Sequence, residues 1–449
     1  MSPFVIGLLG LLVLVILLFC GMKVGIAMGI VGFVGMLIIR GPLAAMASMI
    51  STPFAVLTRD SLMVIPMFTL MGVACAYGGI SGELYSACYK FISRMRGGLA
   101  IATEVACAFF AAICGSSTAT TASMGKICLP EMDKYNYKRT LTTGSISAGG
   151  TLGILIPPSV GFMLYGINSG VGVGQMFISG ILPGVLLTIC YALVIVVVCY
   201  IDKEAGPKGE KYPLSEKLKA LAGILPVLVL FGFVMGGILF GWFSASEGAA
   251  MGAFGAFVFM VIRRRFTLQN VVGCLKETIA TTAMIFLIMI GADILTNFFT
   301  AARLPALVQR IASSATVGPW VILIILLLIY AILGCFIDSL PLIVLLTPIF
   351  LPAVQNIAPG LGFVGENGIF NVTVWFGVLM VMLMQFGLMT PPVGMCCYVM
   401  AGVAKDTPLT TIFKGTAPFL IGIGVAIVIV CLFPALATWL PSVMQYGAA

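Results

Sequence analysis

The sequence predicts an all-α polytopic membrane protein, written as an inverted repeat with two re-entrant helical hairpins. Three observations predict it. Of 449 residues, 61% are hydrophobic and only 8% charged, where a soluble domain carries about a quarter charged. The same order of features runs through both halves, the signature of an internal repeat. Each half also holds a proline pair inside apolar sequence, Pro157-Pro158 and Pro391-Pro392. Such a pair removes two backbone donors and cannot sit in a continuous helix. In hydrocarbon the break is tolerated only within protein or beside a watery cavity. Matching breaks in two halves point to a binding site at the membrane midplane.

The first half, residues 1–201, opens with an apolar run at Phe4–Phe19 and a span carrying Gly25-x-x-x-Gly29-x-x-Gly32. A segment of helical periodicity follows at 42–60, then a span around Ile65–Gly72. A further span leads into a polar hairpin near 115–130. A helix broken at 157–158 and the run Met176–Tyr200 close the half. Residues 202–219 are polar, with Gly206-Pro207, Pro213 and four acids among five lysines. They read as a linker with a surface helix at Leu214–Leu221. The second half, 220–449, repeats the order: Gly248-x-x-x-Gly252-x-x-Gly255, then an amphipathic segment at 266–277 suited to the interface. A span at Met284–Gly291, a hairpin near 338–354, a helix broken at 391–392 and the run Pro418–Leu432 follow.

Charge sets the orientation. With the N-terminus outside and spans alternating, 19 of the 23 basic residues face the cytoplasm, and only Arg40, Arg59, Arg303 and Arg310 lie outside. That is the partition the positive-inside rule asks for. The linker 202–219 is then cytoplasmic, and the halves start on opposite sides. The net charge of +8 sits in short loops between apolar spans, so the partner it implies is the lipid bilayer and no nucleic acid. No basic stretch precedes the first apolar run, which argues against a cleaved signal peptide. The thirteen cysteines form no C-x-x-C pair, and histidine is absent. Histidine triads and histidine-ligated zinc are therefore excluded, and no cysteine metal framework is indicated.

Candidate functional residues cluster at the breaks. Ser116, Ser117, Thr118, Thr120, Thr121 and Ser123 place six hydroxyls in eight positions after Gly115. Hard oxygen ligands of this kind suit an alkali cation, and helix N-termini beside them suit a carboxylate. Gly149, Gly150, Thr151 and Gly153 precede the first break and form the natural facing surface. In the second half Gly334, Asp338 and Ser339 take the same place. Asp338 lies between apolar runs, where a carboxylate costs about 2.5–3.5 kcal/mol at the bilayer centre. Asp293 is similar but weaker, while Glu104 and Glu247 fall near predicted span ends and read as interfacial or structural.

These motifs resemble a known family. Gly115-Ser116-Ser117-Thr118-Ala119-Thr120 through Leu129-Pro130, Gly153 through Pro158-Ser159, Gly334 through Asp338, and Leu388-Met389-Thr390-Pro391-Pro392-Val393-Gly394 resemble the DctM-like large membrane subunit of tripartite ATP-independent periplasmic (TRAP) transporters. The resemblance implies an ion-transporter fold with a scaffold and an elevator-type transport domain. It implies Na⁺-coupled uptake of an organic acid, a C4-dicarboxylate, sialic acid or a similar carboxylate, across a bacterial inner membrane. The partners implied are a periplasmic solute-binding protein and a small four-helix membrane subunit, expected as a separate chain. One Na⁺ site is expected among Ser116, Ser117, Thr118, Gly149, Thr151 and Gly153. A second is expected among Gly334, Asp338, Ser339, Thr390 and Gly394. Substrate contacts are expected from Ser116, Ser117, Thr118, Pro158, Ser159, Thr390 and Pro392. Cys396-Cys397 stand where a polar residue is expected.

Two other readings compete. One is a single-component Na⁺/organic anion symporter of the same superfamily. The other is an intramembrane aspartyl protease using Asp293 and Asp338, since paired carboxylates can share a proton and activate water. No G-x-G-D motif is present, because Asp293 follows Gly291-Ala292.

Overall fold

The computed structural model describes residues 2–314, 318–365 and 367–444; the outer limits of the two halves, residue 1 and residues 445–449, lie outside the described residues. The first half contributes α1 (Pro3–Phe19), α2 (Val24–Arg40), α3 (Pro42–Leu57), α4 (Val64–Tyr77), α5 (Ile80–Ile92), α6 (Gly98–Cys114), α7 (Ser117–Lys134), α8 (Arg139–Thr151), α9 (Val160–Ser169) and α10 (Val173–Ile201). The second contributes α11 (Leu214–Leu239), α12 (Ala245–Ile262), α13 (Leu268–Ala301), α14 (Leu304–Ser314), α15 (Pro319–Gly334), α16 (Ser339–Ile357), α17 (Gly368–Met389), α18 (Met395–Val403), α19 (Leu409–Leu432) and α20 (Ala435–Val443). Among the described residues there is no strand, and seven helical segments are long and apolar enough to cross a membrane.

The helices pair across the halves. α2 lies along α13 while α4 lies along α12, and α7 packs on α18 while α16 packs on α9. Exchanging one half for the other preserves these contacts, as a two-fold repeat requires. The α2–α13 seam is lined by the glycines the sequence marks. A Cβ on Gly291 would stand 2.0 Å from the Gly25 carbonyl oxygen, so the two backbones touch directly, as small-residue stripes allow in membranes.

Two hairpins and two interrupted helices fill the centre. α6 and α7 form the first hairpin, turning at Gly115–Ser116, and α15 and α16 form the second, turning at Cys335–Asp338. α8 ends at Thr151, a 3-10 turn at Leu152–Ile154 leads into the first proline pair, and α9 resumes after it; α17 and α18 flank the second pair. α17 is almost wholly enclosed, with Trp375 fully buried and its indole Nε1 donating to the Val430 carbonyl at 2.8 Å.

Two expectations change. The segment 266–277 is not a separate interfacial helix: α13 runs unbroken from Leu268 to Ala301. The first half breaks at the equivalent place through Thr58 and the 3-10 turn Asp60–Met63, but α13 has no proline or polar turn to stop it. Likewise Leu214–Leu221 is the first part of α11 rather than a surface helix of its own.

The linker is not a loose tether. The Gly97 and Lys138 amides donate to the Gly206 and Ala205 carbonyls at 3.0 and 3.1 Å, and the Gly209 amide donates to the Ser93 carbonyl at 2.9 Å. Tyr137 Oη donates to the Pro207 carbonyl at 2.9 Å, and Lys138 pairs with Asp202 at 2.7 Å. The linker thus laces across the base of the first hairpin.

Candidate solute and ion site

At the first hairpin tip, Gly115 takes φ +62°, the left-handed region that favours glycine. A Cβ there would come 2.5 Å from the Pro158 carbonyl oxygen. Ser116 caps α7, its Oγ accepting from the Ala119 amide at 3.5 Å and lying 3.3 Å from Thr118 Oγ1. Ser117 Oγ donates to the Thr151 carbonyl at 3.2 Å. A Cβ on Gly153 would stand 2.6 Å from the Ser116 carbonyl oxygen. Ser116, Ser117, Thr151 and Gly153 therefore meet, and their oxygens are the hard donors an alkali cation prefers.

The remaining first-half residues divide. Gly149 faces Cys107 and Glu104, four residues before Gly153, rather than the hairpin tip. Ser159 is fully buried; its Oγ donates to the Ile154 carbonyl and accepts from the Phe162 amide at 3.4 Å, capping α9. Pro158 is buried behind Gly115. These two brace the break.

The second site repeats the plan. The Val393 amide donates to the Cys335 carbonyl at 3.3 Å, tying the hairpin turn to the broken helix. Thr390 Oγ1 donates to the Phe386 carbonyl at 2.9 Å and lies 3.2 Å from Cys335 Sγ. Asp338 caps α16, Oδ1 accepting from the Ser339 amide at 2.7 Å and from Ser339 Oγ at 3.2 Å. Gly334, Asp338 and Ser339 border one small pocket with Gly387 and Val393. Gly394, at φ +36°, starts α18 beside the Phe413 ring, and Pro392 is exposed. Cys396 and Cys397 are fully buried. Cys397 Sγ lies 3.9 Å from Thr416 Oγ1, which donates to the Met389 carbonyl at 3.5 Å. Thr416 comes from α19, so no local motif announces it.

The first tip opens on a cavity of about 760 Å³. One wall is α7, through Ser116, Thr118, Ser123 and Lys126; the other is Thr69 of α4 with Arg265 and Glu277 at and beyond the α12–α13 turn. Thr69, Arg265 and Glu277 were not legible as site residues, because only packing between distant elements brings them to the cavity.

Of the two readings of Glu104, interfacial or structural, burial rules out the first. It is fully buried in α6, and neither carboxylate oxygen has a hydrogen-bond partner among the described residues. Glu247 is structural as expected: it forms a capping box with Ser244 at the start of α12. Asp293 and Asp338 do not form a catalytic pair. Asp293 accepts from Arg59 Nη2 at 2.8 Å, whereas Asp338 is committed to α16.

Two hairpins whose turns meet two interrupted helices, beside an open cavity, define a membrane transport subunit rather than an enzyme. Residues 11–436 match the family described as tripartite ATP-independent periplasmic transporter, DctM component. The C4-dicarboxylate TRAP transporter large permease protein DctM of Pseudomonas aeruginosa is 32% identical over 383 residues, 85% of this chain and 86% of that one. The sialic acid TRAP transporter large permease protein SiaM of Vibrio cholerae is 28% identical, covering 96% and 97%. The isethionate TRAP transporter permease protein DctMQ of Oleidesulfovibrio alaskensis is 31% identical over 86% of this chain and 58% of its own length. Among solved structures, the YdaH transporter of Alcanivorax borkumensis superposes with a TM-score of 0.60 at 15% identity, covering 89% of each chain, a likeness of fold. The chain belongs to the DctM family, the large permease subunits of TRAP transporters.

Proposed function

We propose that this subunit moves an organic acid, a C4-dicarboxylate, sialic acid or a similar carboxylate, inward across a bacterial inner membrane, driven by Na⁺. The observation that carries the reading is the meeting of Ser116 and Ser117 with Thr151 and Gly153 beside an open cavity. One Na⁺ would be held there by hydroxyl and carbonyl oxygens, and a second among Gly334, Asp338, Ser339, Thr390 and Gly394. Bound Na⁺ supplies the charge that fixes each hairpin against its broken helix. Ser116 and Thr118 hold the solute's carboxylate at the α7 N-terminus, whose amides favour an anion. The hairpins and broken helices then travel together against the spans around α2, α4, α12 and α13, in elevator fashion.

In this reading the N-terminus is periplasmic and the linker cytoplasmic. A periplasmic binding protein delivers the solute, and a small four-helix subunit on its own chain steadies the static spans. The DctMQ relative, longer than this chain, is consistent with the two membrane parts working together. The test is uptake by the purified chain in proteoliposomes, alone and with binding protein and small subunit, under an inward Na⁺ gradient. Uptake only by the complete set, abolished when K⁺ replaces Na⁺, is expected. Uptake by the lone chain would favour a single-component symporter instead.

A further inference from the structure

Below the hairpin tip the cavity holds a charged girdle that the hydroxyl site does not use. Lys126 lies eight residues beyond Thr118 on α7, about 12 Å along the helix at ~1.5 Å per residue. Both side chains line the same cavity. Across from it stands Arg265, in the turn between α12 and α13. That turn is fixed: the Arg265 amide donates to the Met260 carbonyl at 2.9 Å, and its carbonyl accepts from Asn270 Nδ2 at 2.7 Å. The guanidinium lies over Gly79, where a Cβ would approach Arg265 Cζ to 3.2 Å. Lys126 and Arg265 make no ion pair among the described residues, and Glu277 is the acidic group on the same walls.

We infer that Lys126 and Arg265 form a second, lower station for the solute's carboxylate, which it reaches on leaving the hydroxyls of the hairpin tip. Two cations against one glutamate leave the station one net positive charge, which suits the carboxylate of an organic acid. Lys126 rides on the hairpin and Arg265 on the opposite wall. The two cations therefore converge on the solute only while the cavity is open, as here, and hairpin movement parts them. This rests on the transport reading above and adds where the anion goes after the tip releases it.

The station is testable without knowing the solute. In a Cys114→Ser background, Ser123→Cys places a thiol on the same cavity wall. Its reaction from the cytoplasmic face is compared for an anionic reagent, sulfonatoethyl methanethiosulfonate, and a cationic one, trimethylammonioethyl methanethiosulfonate, with the chain co-expressed with its small subunit. The anionic-to-cationic rate ratio should fall about tenfold in Lys126→Gln/Arg265→Gln, as loss of a focused positive field predicts. An unchanged ratio overturns the station. In a second arm, exchange of succinate, isethionate and sialic acid is followed from each face. Lys126→Gln should raise KM on the cytoplasmic face alone; an equal rise on both faces places Lys126 in the shared site and overturns the station. Failure of the unaltered transporter to exchange any of the three counts against the transport reading, while the thiol ratio still decides the station.

Discussion

Thr151 Oγ1 donates to Gln385 Oε1 at 2.9 Å, and each residue stands six positions ahead of its own half's proline pair. They are equivalent points of the two repeats, touching at the centre where the broken helices approach. Tyr191 Oη lies 3.1 Å from the same threonine oxygen, and Gln385 Nε2 has no partner among the described residues. Thr151→Val keeps the shape but leaves a buried amide with no partner at either end. A loss of about 1–3 kcal/mol is expected, read as a lower unfolding midpoint in detergent. An unmoved midpoint would show that the pair contributes nothing to stability.

Ser116→Ala and Thr118→Ala remove hydroxyls from the first tip. Ser116 also caps α7, so its loss costs a further ~1 kcal/mol of helix stability. Both variants should need more Na⁺ for half-maximal uptake in proteoliposomes, and unchanged Na⁺ affinity would remove these side chains from the ion site.

Gly387→Ala tests the second site. Its added Cβ would stand 2.1 Å from the Gly334 carbonyl oxygen, forcing α17 away from the hairpin. Transport should be lost while the protein still reaches the membrane. Gly402→Ala, with no atom within 4 Å of the added carbon, is the control and should transport normally.

Asp293→Asn removes the charge paired with Arg59; the Arg59 side chain is 39% exposed and that of Asp293 19%. At such exposure the loss should stay within about 1 kcal/mol. Na⁺-dependent uptake should persist, and its disappearance would assign Asp293 a role in transport itself.

The linker clasp should respond to pH. Lys138 beside Asp202 holds that carboxyl below its ordinary value, and Asp202 in turn holds the ammonium above its own. A lowered carboxylate contributes stability above its unfolded value and loses it as pH falls through the folded one. The raised lysine contributes below its unfolded value and loses it as pH rises through the folded one. The clasp is therefore tightest across neutral pH and loosens below about pH 4, where carboxylates protonate. An acid-active protease should cut 202–213 faster there, and Asp202→Asn should show the fast rate already at neutral pH.

The functional centre was legible where chemistry is local. Proline pairs announce backbone breaks and a hydroxyl run announces oxygen donors, whatever surrounds them. Glu104 shows the opposite case. Near a predicted span end it reads as interfacial or structural, and only the closing of α5, α7, α8 and α10 around α6 shows that it is buried. Arg265 and Glu277 likewise carry no motif, since their meaning comes from α7 standing opposite. The continuity of α13 was illegible for a different reason: helical periodicity at 266–277 shows that a helix forms, not that it fails to stop.

The seam between α2 and α13 bears on how the protein is made. Gly25 and Gly32 approach the α13 backbone so closely that any side chain there would hold the two helices apart. During synthesis α2 enters the bilayer long before α13 leaves the ribosome, so its bare glycine face must wait among lipid tails. The α2–α13 seam therefore closes only after the second half is made, so the first half alone lacks the partner its glycine face is shaped for.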